Sequence, residues 1–219
     1  AVYEPWPLWL RLIGAAGCDS EAVSETSAEA NVFRQVAEPN ENAFTLLVPQ
    51  EWTVRGGIQR VDPTAAGGPA QSIAAKLDFA VAEPSSVAMI RWLPDVLFFD
   101  ASMSPAGQMG MFPPGSNYQG MTVYPKMSAS QFIVDIAFPY VHPEATEVEV
   151  VSSESLTDLA RRYTERTRAA IPMIDFSHDA AVVTFRYTEK GRRISERMMA
   201  VVEDYGQMGA GLWGNKETV

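Results

Sequence analysis

Ala181-Val182-Val183-Thr184-Phe185-Arg186-Tyr187, followed by Glu189-Lys190-Gly191 and then by Ile194 to Val202, is the stretch on which the fold turns. β-branched and aromatic residues run on both sides of a short Lys-Gly turn, a pattern that predicts two antiparallel strands joined by a hairpin. Met208 to Trp213 reads as a further strand of the same kind. Just upstream the pattern changes to helix. Ser155-x-x-Asp158 resembles a capping box opening a helix that runs to Ile171, with Leu156, Leu159, Ala160, Tyr163 and Ala170 as its apolar stripe and Pro172 as its stop.

Further out, Glu147 to Val151 alternates as a strand, and Ser128 is an N-cap candidate for a helix carrying Phe132, Ile133, Ile136 and Ala137 on one face. Pro139 and Pro143 are expected to end that helix. Toward the N-terminus the chain reads as strands starting near Val32, Ala43, Trp52, Ala75 and Val87, with Gly56-Gly57 marking a bulge and 62–69 a Gly/Pro/Ala loop. Strands, then two helices around a short strand, then strands again, without βαβ alternation, predict an α+β fold with an antiparallel sheet system.

The chain has 219 residues, 47 % of them hydrophobic and 20 % charged, enough to bury a core and too apolar for a disordered chain. Residues 1–18 are rich in Trp, Leu and Pro, and 19–31 are acidic and Ser-rich, so the expected organisation is an apolar segment with an acidic linker over 1–31 and a single α+β domain over 32–219. The formal charge of -10 repels a phosphate backbone, and no Lys/Arg run offsets it, which argues against nucleic acid as a partner. All of that excess lies in residues 1–150. No apolar run reaches the length a membrane-spanning helix needs.

Candidate chemistry is sparse. Cys18 is the one cysteine, and Leu12 to Cys18 resembles a lipobox, with Ala15 and Arg11 departing from its usual pattern. His142 and His178 are the two histidines. His142, near Glu144 and Glu147, offers one nitrogen and two carboxylates to a metal, although a polar surface role is the simpler reading. Ser177, His178 and Asp179 are neighbours in sequence, whereas a triad needs convergence of distant segments. Asp95 and Asp100 flank an apolar run as turn residues do. Gly209 to Gly214 matches GxGxxG but reads as a glycine-rich strand or turn, because pyrophosphate binding needs a helix N-terminus straight after it. Arg192, Arg193 and Arg197, with Arg161, Arg162, Arg166 and Arg168, are expected to be solvated or salt-bridged. No catalytic set, metal site or cofactor is therefore expected.

Residues 101–120 form a long loop with Pro, Gly and Met and no periodicity. Met109, Met111, Phe112 and Tyr118 in this loop, with Trp6 and Trp9 in the N-terminal segment, lie outside the periodic elements and are the expected partner-binding residues. The apolar N-terminal segment is expected to dock on its own domain, on a protein partner or peripherally at a membrane surface.

Ala43-Phe44-Thr45-Leu46-Leu47-Val48-Pro49-Gln50-Glu51-Trp52 adds a resemblance: an apolar strand ending in Val-Pro-x-x-Trp is similar to the opening strand of the PsbP/Mog1/DcrB-like superfamily. The resemblance implies an α+β fold in which an antiparallel β-sheet sandwich is covered by two helices, and a role as a binding, assembly or accessory protein. The expected function is thus a non-enzymatic accessory subunit that binds a larger complex through its N-terminal segment and the 101–120 loop, on the extracytoplasmic, periplasmic side. The alternative is a small-molecule or metal-binding hydrolase-like domain using that loop and His142.

Overall fold

The structure is a computed structural model that describes residues 32–62, 75–102, 104–207 and 215–218. The apolar segment and linker of 1–31, with Trp6, Trp9 and Cys18, lie outside the described residues. So do most of the 62–69 loop and the strand expected at Met208 to Trp213. What is described is a mixed α+β protein, mostly antiparallel sheets with few helices.

The described residues of Ala1–Gln59 and Leu77–Leu93 form one compact unit, and those of Arg60–Lys76 and Pro94–Val219 another. In the first, β1 (Phe33–Ala37) pairs antiparallel with β2 (Thr45–Pro49). A three-stranded sheet runs β3 (Thr53–Arg60), β4 (Ala75–Ala82), β5 (Met89–Trp92). Val48, Phe79 and Val81 are its buried centre, with Trp52 and Trp92 packed around them. The turn after β1 is built on Glu38, a fully buried carboxylate that accepts from the backbone N–H groups of Asn40 (2.9 Å), Glu41 (2.7 Å) and Ile58 (2.7 Å). Burial alone would raise its pKa, but the amides of Asn40, Ile58, Glu41 and Ala43 outweigh that and hold the carboxyl below the usual Glu value.

The second unit is organised by one seven-stranded sheet in the order β7-β8-β6-β12-β11-β10-β9. These strands are β6 (Leu97–Asp100), β7 (Asn117–Tyr118), β8 (Met121–Val123), β9 (Thr146–Ser155), β10 (Ser177–Glu189), β11 (Arg192–Gln207) and β12 (Asn215–Thr218). All described pairings in it are antiparallel except β6 with β8. The hairpin expected from Ala181 to Val202 is its spine, longer at both ends than the sequence suggests. Lys190 (φ 49°) and Gly191 (φ 73°) both take the left-handed conformation in its turn, as a two-residue hairpin with right-twisted strands requires.

Strand alternation sets the core. Ala181, Val183, Phe185 and Tyr187 of β10 and Met198, Ala200 and Val202 of β11 are buried on the face that receives the helical segment 129–141. Phe138 stacks on Phe185 at 4.2 Å between ring centres, and burying a ring of this size contributes roughly 1.5–3 kcal/mol. The opposite face of β10, toward its start, carries the helix Thr157–Ala170, called α3 below. This helix is not opened by Ser155, which belongs to β9; Leu156 occupies the N-cap position without a side-chain cap. The capping box is found one helix earlier, where Ser128 Oγ accepts from Gln131 N and the Gln131 side chain accepts from Ser128 N.

All four residues of β6 are buried, because the strand is covered on both faces. Phe98 points to the helical segment and meets Phe132 and Tyr124, while Leu97 and Phe99 belong to a second cluster with Met121 and Val123. A strand buried on both faces loses the polar alternation that marks strands in sequence, which is why Val96 to Phe99 reads as an apolar run and not as a strand.

Candidate functional site

The 101–120 segment is held down at both ends. Ser104 is buried, donates its hydroxyl to Ala101 O (2.9 Å) and accepts from Gly107 N (3.0 Å), capping the short helix α1 (Pro105–Gln108). A Cβ at Gly107 would collide with Ala101 O, so the tight return needs glycine there. Further on, Tyr118 stacks on Phe99 at 4.4 Å, and Phe112 packs edge-on against both, 5.2 Å from Tyr118 and 6.3 Å from Phe99. Phe112 and Tyr118, each half-buried, pack on the second face of β6. Met109 and Met111, between the two anchors, are 72 % and 64 % exposed. No Lys, Arg, Asp or Glu occurs anywhere in residues 101–120.

His142 is placed by a helix that does not stop where the sequence says it should. Ala129–Phe132 is α-helical, Ile133–Ala137 is a π-turn, and Phe138–Val141 is α-helical again; the three pieces are α2. Pro139 has no N–H to give and would clash with the carbonyl four residues back in a regular helix. The π-turn absorbs this by shifting the pairing to Phe138 N with Ile133 O, and the chain continues to His142, whose N–H reaches Phe138 O at 2.9 Å. Asp179 Oδ2 accepts from Ala129 N (2.7 Å) and fixes the other end of α2 to β10.

This extension delivers the His142 ring to the turn end of the β10–β11 hairpin. Nε2 lies 2.8 Å from Glu196 Oε2, and Nδ1 lies 3.3 Å from Glu189 Oε1. The Tyr187 hydroxyl donates to Glu196 Oε2 at 2.8 Å and sits 3.3 Å from the imidazole. The ring is nearly closed off, with 12 % of its side chain exposed, and Phe138 covers one side. Burial first, then the hydrogen bond and charge of Glu196 and the charge of Glu189, push the Tyr187 phenol far above its ordinary value, so it stays a donor. The carboxylates about His142 are Glu189 and Glu196, and its described hydrogen-bond and ion-pair partners do not include the sequence-near Glu144 and Glu147. Glu147 instead accepts from Thr188 and Arg193. Among the described residues no group of three or more His, Cys, Asp or Glu is placed to hold a metal ion. The arrangement joins an imidazole, two carboxylates and a phenol in one hydrogen-bonded cluster, and none of its described partners is a serine, cysteine or threonine nucleophile.

Ser177, His178 and Asp179 part company because they lie on one strand, where neighbours face opposite sides. His178 goes under α3, with Nε2 2.8 Å from Glu203 Oε2 and Nδ1 3.1 Å from Thr164 Oγ1, while Asp179 caps α2. Asp95 accepts from Lys76 through its side chain and its backbone carbonyl, and Asp100 accepts from the backbone of Ser102 and Lys126; both carboxylates are structural. Arg161, Arg168 and Arg193 are engaged with Asp158 and Glu165, Asp175, and Glu147 respectively.

Sequence reading missed Tyr187, Glu189 and Glu196 as partners of His142. One signal was present: in β11 the inward row Ile194, Met198, Ala200, Val202 is interrupted by Glu196 alone, and a carboxylate in an apolar row needs a partner. No family model, curated protein or solved structure matches this chain.

Proposed function

We propose that this protein is a non-enzymatic accessory or assembly subunit that binds a larger protein through the tip of the 101–120 loop, together with the N-terminal segment carrying Trp6 and Trp9. The carrying observation is the exposure of Met109 and Met111 between the buried Ser104 and the half-buried Phe112 and Tyr118 packed on β6. Two flexible thioethers on a fixed base suit an apolar groove on a partner, and each removed from water contributes roughly 1.5–3 kcal/mol. The loop carries no charge, so the contact is read by shape and apolar area. The resemblance of the Ala43 to Trp52 stretch to the PsbP/Mog1/DcrB-like superfamily supports the same role, and with it a sandwich arrangement of the sheets and a site of action on the periplasmic side.

Affinity purification of the tagged full chain from its native cells tests this. Met109→Ala with Met111→Ala is expected to abolish recovery of a specific partner while the melting temperature stays unchanged. Undiminished recovery with this double variant, and with Trp6→Ala and Trp9→Ala added, would overturn the proposal.

A second reading rests on His142 between Glu189 and Glu196: a hydrolase-like acid/base centre in which Tyr187 orients Glu196. It requires turnover of an ester, amide or phosphoester that His142→Gln removes without unfolding the chain.

A further inference from the structure

We propose that β9 is a docking edge for an extended, basic segment of a protein partner, which adds to the seven-stranded sheet as an eighth strand. β9 is the last strand in the sheet order, paired with β10 on one side and with nothing on the other among the described residues. It is ten residues long, and every one of them is exposed. Such an edge presents a row of unpaired backbone donors and acceptors, and an incoming extended chain satisfies them.

The side chains say which chain fits. Val148, Val150 and Val151 are 47 %, 47 % and 44 % exposed, giving apolar area to cover. Glu147, Glu149 and Glu154 are the charges of β9, and residues 143–160 contain no Lys or Arg. Glu147 is reached by Arg193 of β11 and Glu149 by Arg186 of β10, whereas Glu154 has no ion-pair partner among the described residues. The edge is also not uniformly open. Its register shifts twice, between Thr184 and Phe185 and between Arg186 and Thr188 of the partner strand, and Glu147 takes φ 52°. Bulges of this kind block a long edge against indiscriminate pairing. Ser152 to Ser155 stays in regular register with Thr184 to Ala181, so the usable stretch is this end, with Val150 and Val151 beside it and Glu154 in it.

A second copy of the chain is a poor occupant. An antiparallel copy brings the same acidic, Lys- and Arg-free strand against itself, and like charges set opposite one another on paired strands are destabilising. The net charge of -10 on each copy adds to that repulsion. A strand alternating Lys or Arg with apolar residues meets both Glu154 and the valines beside it. This edge is the opposite end of the sheet from β7, which holds Tyr118 near the close of the 101–120 loop, so the two surfaces are independent.

The test uses the full chain and a labelled peptide alternating Lys and Val, with an alternating Glu and Val peptide as its counterpart. Saturable binding of the Lys peptide is expected, weakened by salt, with slowed amide exchange confined to residues 150–155. Glu154→Lys should weaken it roughly tenfold, while Glu51→Lys, the same charge change on an exposed residue elsewhere, should leave it nearly unchanged. Met109→Ala with Met111→Ala should have no effect, which separates this result from the fate of the loop. Equal binding of the two peptides would overturn the proposal. So would equal weakening by both Lys variants, or amides at 150–155 that are already protected in the free chain by a second copy or by another part of the chain.

Discussion

His142 Nε2 and Glu196 Oε2 are 2.8 Å apart, and 54 residues of chain separate them. The contact exists because α2 runs on past Pro139 through a π-turn, and because Glu196 interrupts the inward apolar row from Ile194 to Val202 of β11. It joins the end of α2 to the turn end of the hairpin, beside the packing of Phe138 on Phe185 and Tyr187.

Removing the imidazole tests how much this join contributes. His142→Ala leaves Glu189 and Glu196 without the ring between them and is expected to lower stability by about 1–3 kcal/mol. The measurement is urea unfolding followed by circular dichroism, with the slope unchanged; a midpoint equal to that of the parent would show the cluster to be energetically idle.

Tyr187 makes the protein sensitive to alkali. Its folded-state pKa is raised above the ordinary 10.0, so in the unfolded chain the phenol ionises first. Its contribution is whole below pH 10.0 and is lost as pH rises beyond it, because unfolding then releases a proton. Absorbance titration should show one tyrosine that ionises only with unfolding, and Tyr187→Phe should remove that coupling.

Glu38 makes the opposite prediction at acid pH. Its pKa is lowered from 4.5, so its stabilising contribution is whole above that value and is lost as pH falls through the lower folded value. Glu38→Gln should flatten this acid limb and speed amide exchange at Asn40, Glu41 and Ile58, the three donors to its carboxylate. An unchanged acid limb would refute the role of the carboxylate.

Residues of the 101–120 loop should divide cleanly in a melting experiment. Phe112→Ala removes a ring packed on Phe99 and Tyr118 and should cost about 1–3 kcal/mol. Met109→Ala and Met111→Ala should each stay within about 0.5 kcal/mol of the parent, as exposed positions do.

Much of the secondary structure was legible, and the reasons are local. The Glu189-Lys190-Gly191 turn, the Ser128 cap and the apolar stripe of α3 are signals carried by neighbours within a few residues, so the hairpin and both helices are found near their expected places. Where the reading failed, something distant had intervened. Pro139 ends a helix unless a π-turn reroutes its hydrogen bonds, and whether one forms depends on what Phe138 packs against, here Phe185 and Tyr187. β6 is a strand without alternation because two separate layers cover it, one from α2 and one from the 101–120 loop.

The sequence by itself determined the α+β class with mostly antiparallel strands, the acidic character, and the position of a long loop rich in Met and aromatic residues, because periodicity, charge and turn chemistry are properties of short stretches. Only the tertiary structure decided that Phe112 and Tyr118 are anchors while Met109 and Met111 face outward, that His142 belongs with Tyr187, Glu189 and Glu196, and that β9 stands at the end of its sheet. Each of these is a matter of which residues, far apart along the chain, are brought to one place. Strand order and helix register set that, and neither is written in any single stretch of sequence.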